Sequence, residues 1–217
     1  MDSTSEASAL VIQHLDRVSY GDALELQLKL RQARMEDRLP DTVLLLEHPD
    51  VITFGRSSKP EHALLSDEAL RSAGYDVHHI NRGGDVTYHG PGQLVGYLIL
   101  DLSKHGADVH RYLRQVEAVL IDTLADFGIA ACRREGYSGV WLDERRKIAS
   151  IGVGLRRWTT MHGFALNVCC DLARFDPVIA CGLREVEMTS MREVLGREID
   201  LGTVRPRVEA HLRKTFQ

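Results

Sequence analysis

Apolar residues recur at helical spacing most clearly between Asp108 and Phe127. There Val109, Tyr112, Leu113, Val116, Val119, Leu120, Leu124 and Phe127 fall on one stripe, which predicts an amphipathic helix. A capping box at Ser19-Tyr20-Gly21-Asp22 predicts a second amphipathic helix, running to about Arg38. Shorter helices are predicted over residues 66–73, 190–195 and 204–215. Strand-like runs cover residues 10–15, 42–47, 51–54, 77–80, 129–133, 139–142, 147–155 and 160–168. Residues 94–102 are apolar on both faces and predict a central strand. Residues 143–146 read as a hairpin turn, and Gly90-Pro91-Gly92 as a type II turn.

The strands cluster instead of alternating strictly with helices. That pattern predicts an α/β (α+β) mixed-sheet fold and argues against a doubly wound one. No boundary divides the chain, so residues 1–217 are expected to form a single domain. Residues 1–8 are expected to be a disordered polar tail, and the stretch after Gly182 could be a small subdomain.

Composition narrows the function. A formal net charge of −4 argues against a general nucleic-acid binder. No apolar run reaches the ~20 residues of a membrane span. The first residues lack the basic and apolar regions of a secretory signal, which points to the cytoplasm and to reduced thiols. The four cysteines, Cys132, Cys169, Cys170 and Cys181, show no C-x-x-C spacing, so no zinc or redox site is expected. Cys169 and Cys170 continue a strand pattern and Cys132 lies in another, where free cysteine packs as a small hydrophobe.

Candidate chemistry sits in four segments. In Arg82-Gly83-Gly84-Asp85-Val86-Thr87-Tyr88-His89-Gly90-Pro91-Gly92-Gln93, paired glycines allow close backbone approach to a ligand. The plain alternative is a glycine-rich hairpin without a ligand. In Lys147-Ile148-Ala149-Ser150-Ile151-Gly152, alternation puts Lys147 on the face of Ala149, Ile151, Val153 and Leu155. Desolvation there would lower its pKa and make it a usable base; otherwise it snorkels to water. His162-Gly163-Phe164-Ala165-Leu166-Asn167 opens an apolar strand with a histidine that either binds a ligand or ends the strand in solvent. Cys181 precedes Gly182 in a loop, where it is either a nucleophile or a bystander.

Together these segments resemble one family: octanoyltransferase of lipoate biosynthesis, also called lipoyl(octanoyl) transferase or octanoyl-[acyl-carrier-protein]–protein N-octanoyltransferase. The resemblance spans residues 44–192 and implies the fold of the biotin and lipoate protein ligase catalytic domains. It also implies roles. Cys181 matches the acyl-thioester nucleophile and Lys147 its dyad partner. Arg82, Gly83, Gly84, Asp85, Val86, Thr87, Tyr88 and His89, then Ser150, Ile151 and Gly152, then Gly163, Phe164 and Ala165 match substrate-binding positions. The family usually has proline before the cysteine, where this chain has Ala180.

The implied reaction needs no nucleotide, metal or other cofactor. The donor would be octanoyl-acyl carrier protein. The acceptors would be lipoyl domains of 2-oxoacid dehydrogenase complexes and the glycine cleavage H protein. Arg133, Arg134, Arg145, Arg146, Arg156 and Arg157 are either a basic docking surface for such acidic partners or ordinary solvated arginines. Rival readings are an ATP-dependent ligase of the same fold, a Cys-His hydrolase using His89 or His162, and a non-catalytic acyl-binding protein.

Overall fold

The computed structural model describes residues 10–179, 182 and 185–217. The expected tail at residues 1–8 lies outside them. In chain order the elements are β1 (Val11–Arg17), α1 (Tyr20–Met35), β2 (Thr42–Glu47), β3 (Val51–Phe54), α2 (Asp67–Ser72), β4 (Asp76–His79), β5 (Thr87–His89), β6 (Gln93–Ile99), α3 (Val109–Ala125), β7 (Val140–Trp141), β8 (Arg146–Arg156), β9 (Thr159–Asn167), β10 (Glu187–Met188), α4 (Met191–Leu195) and α5 (Leu201–Phe216). The larger sheet runs β1-β2-β6-β9-β8-β10, with β7 also paired to β8; the smaller runs β4-β3-β5. Both are mixed: β1–β2, β8–β10 and β3–β4 are parallel and the other pairs antiparallel.

Strand alternation decides what each face buries. From β2, β6 and β9, Val43, Leu45, Leu94, Leu98, Phe164 and Leu166 meet α3 and α5. The intervening Leu44, Leu46, Val95, Tyr97 and Ala165 meet α1. The smaller sheet packs Ile52, Val77 and Tyr88 against Leu70 and Phe175. Each fully buried aliphatic side chain contributes about 1.5–3 kcal/mol. After Gly182, α5 packs on the main core beside α3. No helix among the described residues is long and apolar enough to cross a membrane.

Most helix starts follow their caps. Ser19, Ser66, Asp108 and Ser190 each accept a hydrogen bond from a backbone N–H of the first turn. Other expectations need correction. The buried side of α1 is Tyr20, Ala23, Gln27, Ala33 and Arg34, small and polar rather than an apolar stripe. The strand expected over residues 129–133 shrinks to one bridge, Cys132 to Trp141, and Cys132 is exposed. Cys169 and Cys170 do not extend β9, because the Val168 and Cys169 N–H groups turn to the Gly92 carbonyl. β5 and β10 are short strands that the pattern did not announce.

Candidate active site

A cavity of about 420 Å³ opens beside β8 and takes walls from both sheets. Thr87 and His89 line it from β5; Lys147, Ser150, Ile151 and Gly152 from β8; and Gly163, Phe164 and Ala165 from β9. Arg82, Gly84, Asp85 and Val86 complete that side.

Lys147 reaches the cavity through an irregularity in β8. Val140 pairs with Ala149 but Trp141 pairs with Lys147, so β8 holds one extra residue, Ile148. The bulge breaks the alternation expected from sequence. Ile148 and Ala149 both join the core, while Lys147 lines the cavity with Ser150 and Gly152. Lys147 is only 3% exposed, and its Nζ lies 4.9 Å from the centre of the Trp141 ring.

Residues 82–84 form a strap across the cavity. The Arg82 guanidinium is buried and donates to the Thr53 carbonyl and hydroxyl at 2.9 and 3.0 Å. Gly84 has φ +89, and a Cβ on Gly152 would lie 2.9 Å from the Gly83 carbonyl oxygen. Gly83 itself does not line the cavity; its N–H binds the Val153 carbonyl at 3.0 Å. Tyr88 also points elsewhere, since β5 alternates, and its hydroxyl donates to Asp50 at 2.6 Å in the second core.

Three buried histidines lie at the depth of this region. His48 donates from Nδ1 to the Val18 carbonyl at 2.7 Å, so its Nε2 accepts from the Tyr97 hydroxyl, also at 2.7 Å. His89 Nδ1 faces Gln93 Oε1 at 3.2 Å. The Gln93 amide N–H donates to Asn167 and the Asn167 amide donates to the Thr189 carbonyl, so the Gln93 oxygen must accept. His89 therefore carries its proton on Nδ1 and leaves Nε2 unprotonated. Burial, with repulsion from His48 and Arg82, holds His89 well below the usual imidazole range. Burial, with repulsion from Arg82, pushes His162 down to about 3, and burial pushes His48 down to about 4.

His162 does not end its strand in solvent. It is buried, has φ +62, and gives its N–H to the buried Gln27 side chain at 2.8 Å. That strained backbone accompanies an imidazole that lines the cavity instead of continuing the Phe164 and Leu166 face. Tyr20, Tyr97, Ser57 and Ser138 also line the cavity and carried no sequence signal as site residues. Tyr97 reads as one more apolar strand position, and Tyr20 as part of a helix cap.

Ala180 and Cys181 lie outside the described residues. Gly182, the next described residue after them, has φ +68, and a Cβ there would lie 2.5 Å from the Asp85 carboxylate and from the His62 ring. His62 Nδ1 is 2.6 Å from that carboxylate. Of the arginines considered for docking, Arg133, Arg134 and Arg146 are matched to Glu117, Glu144 and Asp143. Arg145 is exposed, and Arg156 and Arg157 flank the β8–β9 turn.

The mixed-sheet fold is what the chain shares with a known class. Residues 19–213 match the lipoyl protein ligase A/B catalytic domain, and the chain belongs to that family. Its fold is similar to the bipartite lipoate protein ligase of Thermoplasma acidophilum, with TM-score 0.70 and 16% identity over 96% of this chain and 83% of the other. It is also similar to the biotin protein ligase of Aquifex aeolicus, with TM-score 0.52 and 13% identity over 95% and 68%. In sequence it is 49% identical to an octanoyltransferase of Solibacter usitatus over 205 residues, 94% of this chain and 92% of that one. Within the family, that places the protein among the acyltransferases.

Proposed function

We propose that the enzyme moves an octanoyl group from octanoyl-acyl carrier protein to a specific lysine of lipoyl domains, through a thioester on Cys181. The acceptors are lipoyl domains of 2-oxoacid dehydrogenase complexes and the glycine cleavage H protein, and the chain works as a single cytoplasmic domain. One observation carries the reading: Lys147, Arg82 and Gly84 of the strap, and residues 162–165 of β9 converge on one cavity. Its size lies in the range of small-molecule sites, roughly 300–1,000 Å³. Gly182 adds support, because the residue after Cys181 packs against Asp85, a wall of that cavity.

In the first half-reaction Lys147 takes the Cys181 proton, and the thiolate attacks the donor thioester. The tetrahedral intermediate expels the carrier thiolate, which recovers the proton from Lys147. In the second, the acceptor lysine attacks the acyl-Cys181, Lys147 accepts the amine proton, and the Cys181 thiolate leaves. Two thioesters exchange at little cost, and the final amide is more stable, so the sequence runs downhill without a nucleotide. Arg82, Gly84, Thr87 and His89, together with residues 150–152 and 163–165, hold the acyl arm.

The test is transfer from octanoyl-acyl carrier protein to a purified lipoyl domain in buffer free of ATP and magnesium. Full-rate formation of octanoyl-lysine is expected. Strict dependence on ATP with free octanoate as donor would move the chain to the ligase reading.

A further inference from the structure

Arg34, Arg114, Arg133 and Arg174 are each matched to a carboxylate. Arg31 on α1, Arg56 after β3 and Arg156 at the end of β8 are different: among the described residues, none has a carboxylate at ion-pair distance. Arg31 and Arg56 nevertheless share a second cavity, of about 270 Å³, with Asn81 and the apolar side chains of Val109, Val153 and Leu155. No acidic residue lines it. The Arg31 guanidinium is partly buried and donates to the Met161 sulfur. Burial and the nearby charge of Arg156 both work against its own charge. Cations gathered without counter-charge around a concave surface favour an anion.

This cleft adjoins the candidate active site. The Arg56 N–H binds the Arg82 carbonyl at 3.0 Å, and the Ser57 N–H binds the Gly84 carbonyl at 3.1 Å. Ser57 lines the acyl cavity on one side of the strap, while Asn81 and Arg56 line the cleft on the other. Along β8, Val153 lies six residues beyond Lys147, roughly 20 Å at a strand rise of about 3.3 Å.

We propose that the cleft of Arg31, Arg56 and Asn81 binds the phosphate of the donor's phosphopantetheine arm. This rests on the reading that the donor is an acyl carrier protein. From phosphorus to sulfur the arm has about thirteen bonds of ~1.5 Å, and in zigzag it reaches roughly 17 Å, comparable to the span from Lys147 to the cleft. Guanidinium groups pair with phosphate oxygens through parallel N–H donors. The Asn81 amide adds a neutral donor, and Val153 and Leu155 offer apolar surface to the arm's dimethyl carbon. The arm crosses from the cavity mouth over Ser57 and Gly84, so thioester and phosphate are held at once.

The experiment compares two carrier-free donors, octanoyl-4′-phosphopantetheine and octanoyl-pantetheine, by the rate of acyl-enzyme formation at limiting donor. The wild-type protein is expected to favour the phosphorylated donor by about tenfold or more, the scale of a charge-assisted hydrogen bond. In Arg31→Ala/Arg56→Ala that ratio should fall to about one. Because Arg31 also contacts Met161, Arg56→Glu is run beside it and should lower the same ratio without touching that contact. A wild-type ratio near one overturns the phosphate site, and so does a high ratio that survives in both variants. Absence of acyl-enzyme from either donor and from octanoyl-acyl carrier protein itself would instead overturn the underlying thioester-donor reading.

Discussion

Among single residues, Lys147 decides both half-reactions by what it does with a proton. A fixed positive charge would favour the Cys181 thiolate, but only a group that releases and regains a proton can also deprotonate the incoming amine. Arginine keeps the charge and effectively never deprotonates. Lys147→Arg is therefore expected to accumulate octanoyl-enzyme and release product slowly, whereas Lys147→Ala is poor in both half-reactions. Single-turnover measurements of acylation and deacylation check this. Normal deacylation in Lys147→Arg would reduce Lys147 to an electrostatic role and direct attention to His89, whose unprotonated Nε2 is set by the Gln93–Asn167 amide chain. Lys147 was legible in the sequence because the motif around it is specific. The way it faces the cavity was not, since an inserted residue in a strand leaves no mark in a hydrophobic pattern. The residue type makes His162 a candidate, yet its left-handed backbone is held by a hydrogen bond to Gln27, distant in sequence, and no local pattern encodes that contact.

Among the elements, the strap and the glycine beneath it fit closely. Gly152 sits under the Gly83 carbonyl with no room for a methyl group. Gly152→Ala should push the strap outward, at about 1–3 kcal/mol for overpacking, and should cut transfer by about tenfold or more, as small misplacements at a reacting centre do. Gly21→Ala is the comparison, because a Cβ there meets nothing and Gly21 does not line the cavity. Melting temperature and transfer rate are measured together. A Gly152→Ala protein that transfers normally would remove the strap from the substrate site. Helices were legible where caps and stripes coincide, as at Ser66 and Asp108. The two-residue β10 was not, because its pairing with β8 is set by tertiary contact and not by its own pattern.

At the scale of the whole molecule, cavity walls drawn from both sheets bury His48, His89 and His162, and all three are neutral at neutral pH. An unfolded imidazole titrates near 6.5, so as pH falls below that value the unfolded chain takes up protons that the folded one refuses. Stability should therefore fall on acidification from about pH 6.5 toward 4, ahead of the main carboxylate titration. His162→Gln should flatten the fall in melting temperature between pH 7 and 5, by up to a few kcal/mol in stability. An unchanged slope in that variant would mean that His162 is not held neutral by burial.

Acylation of Cys181 is measured directly by intact mass. Protein exposed to octanoyl-acyl carrier protein without acceptor should gain one octanoyl group, which peptide mapping assigns to Cys181, and Cys181→Ser should gain none under the same conditions. An adduct that forms equally in Cys181→Ser and maps to Cys169 or Cys170 would contradict the account.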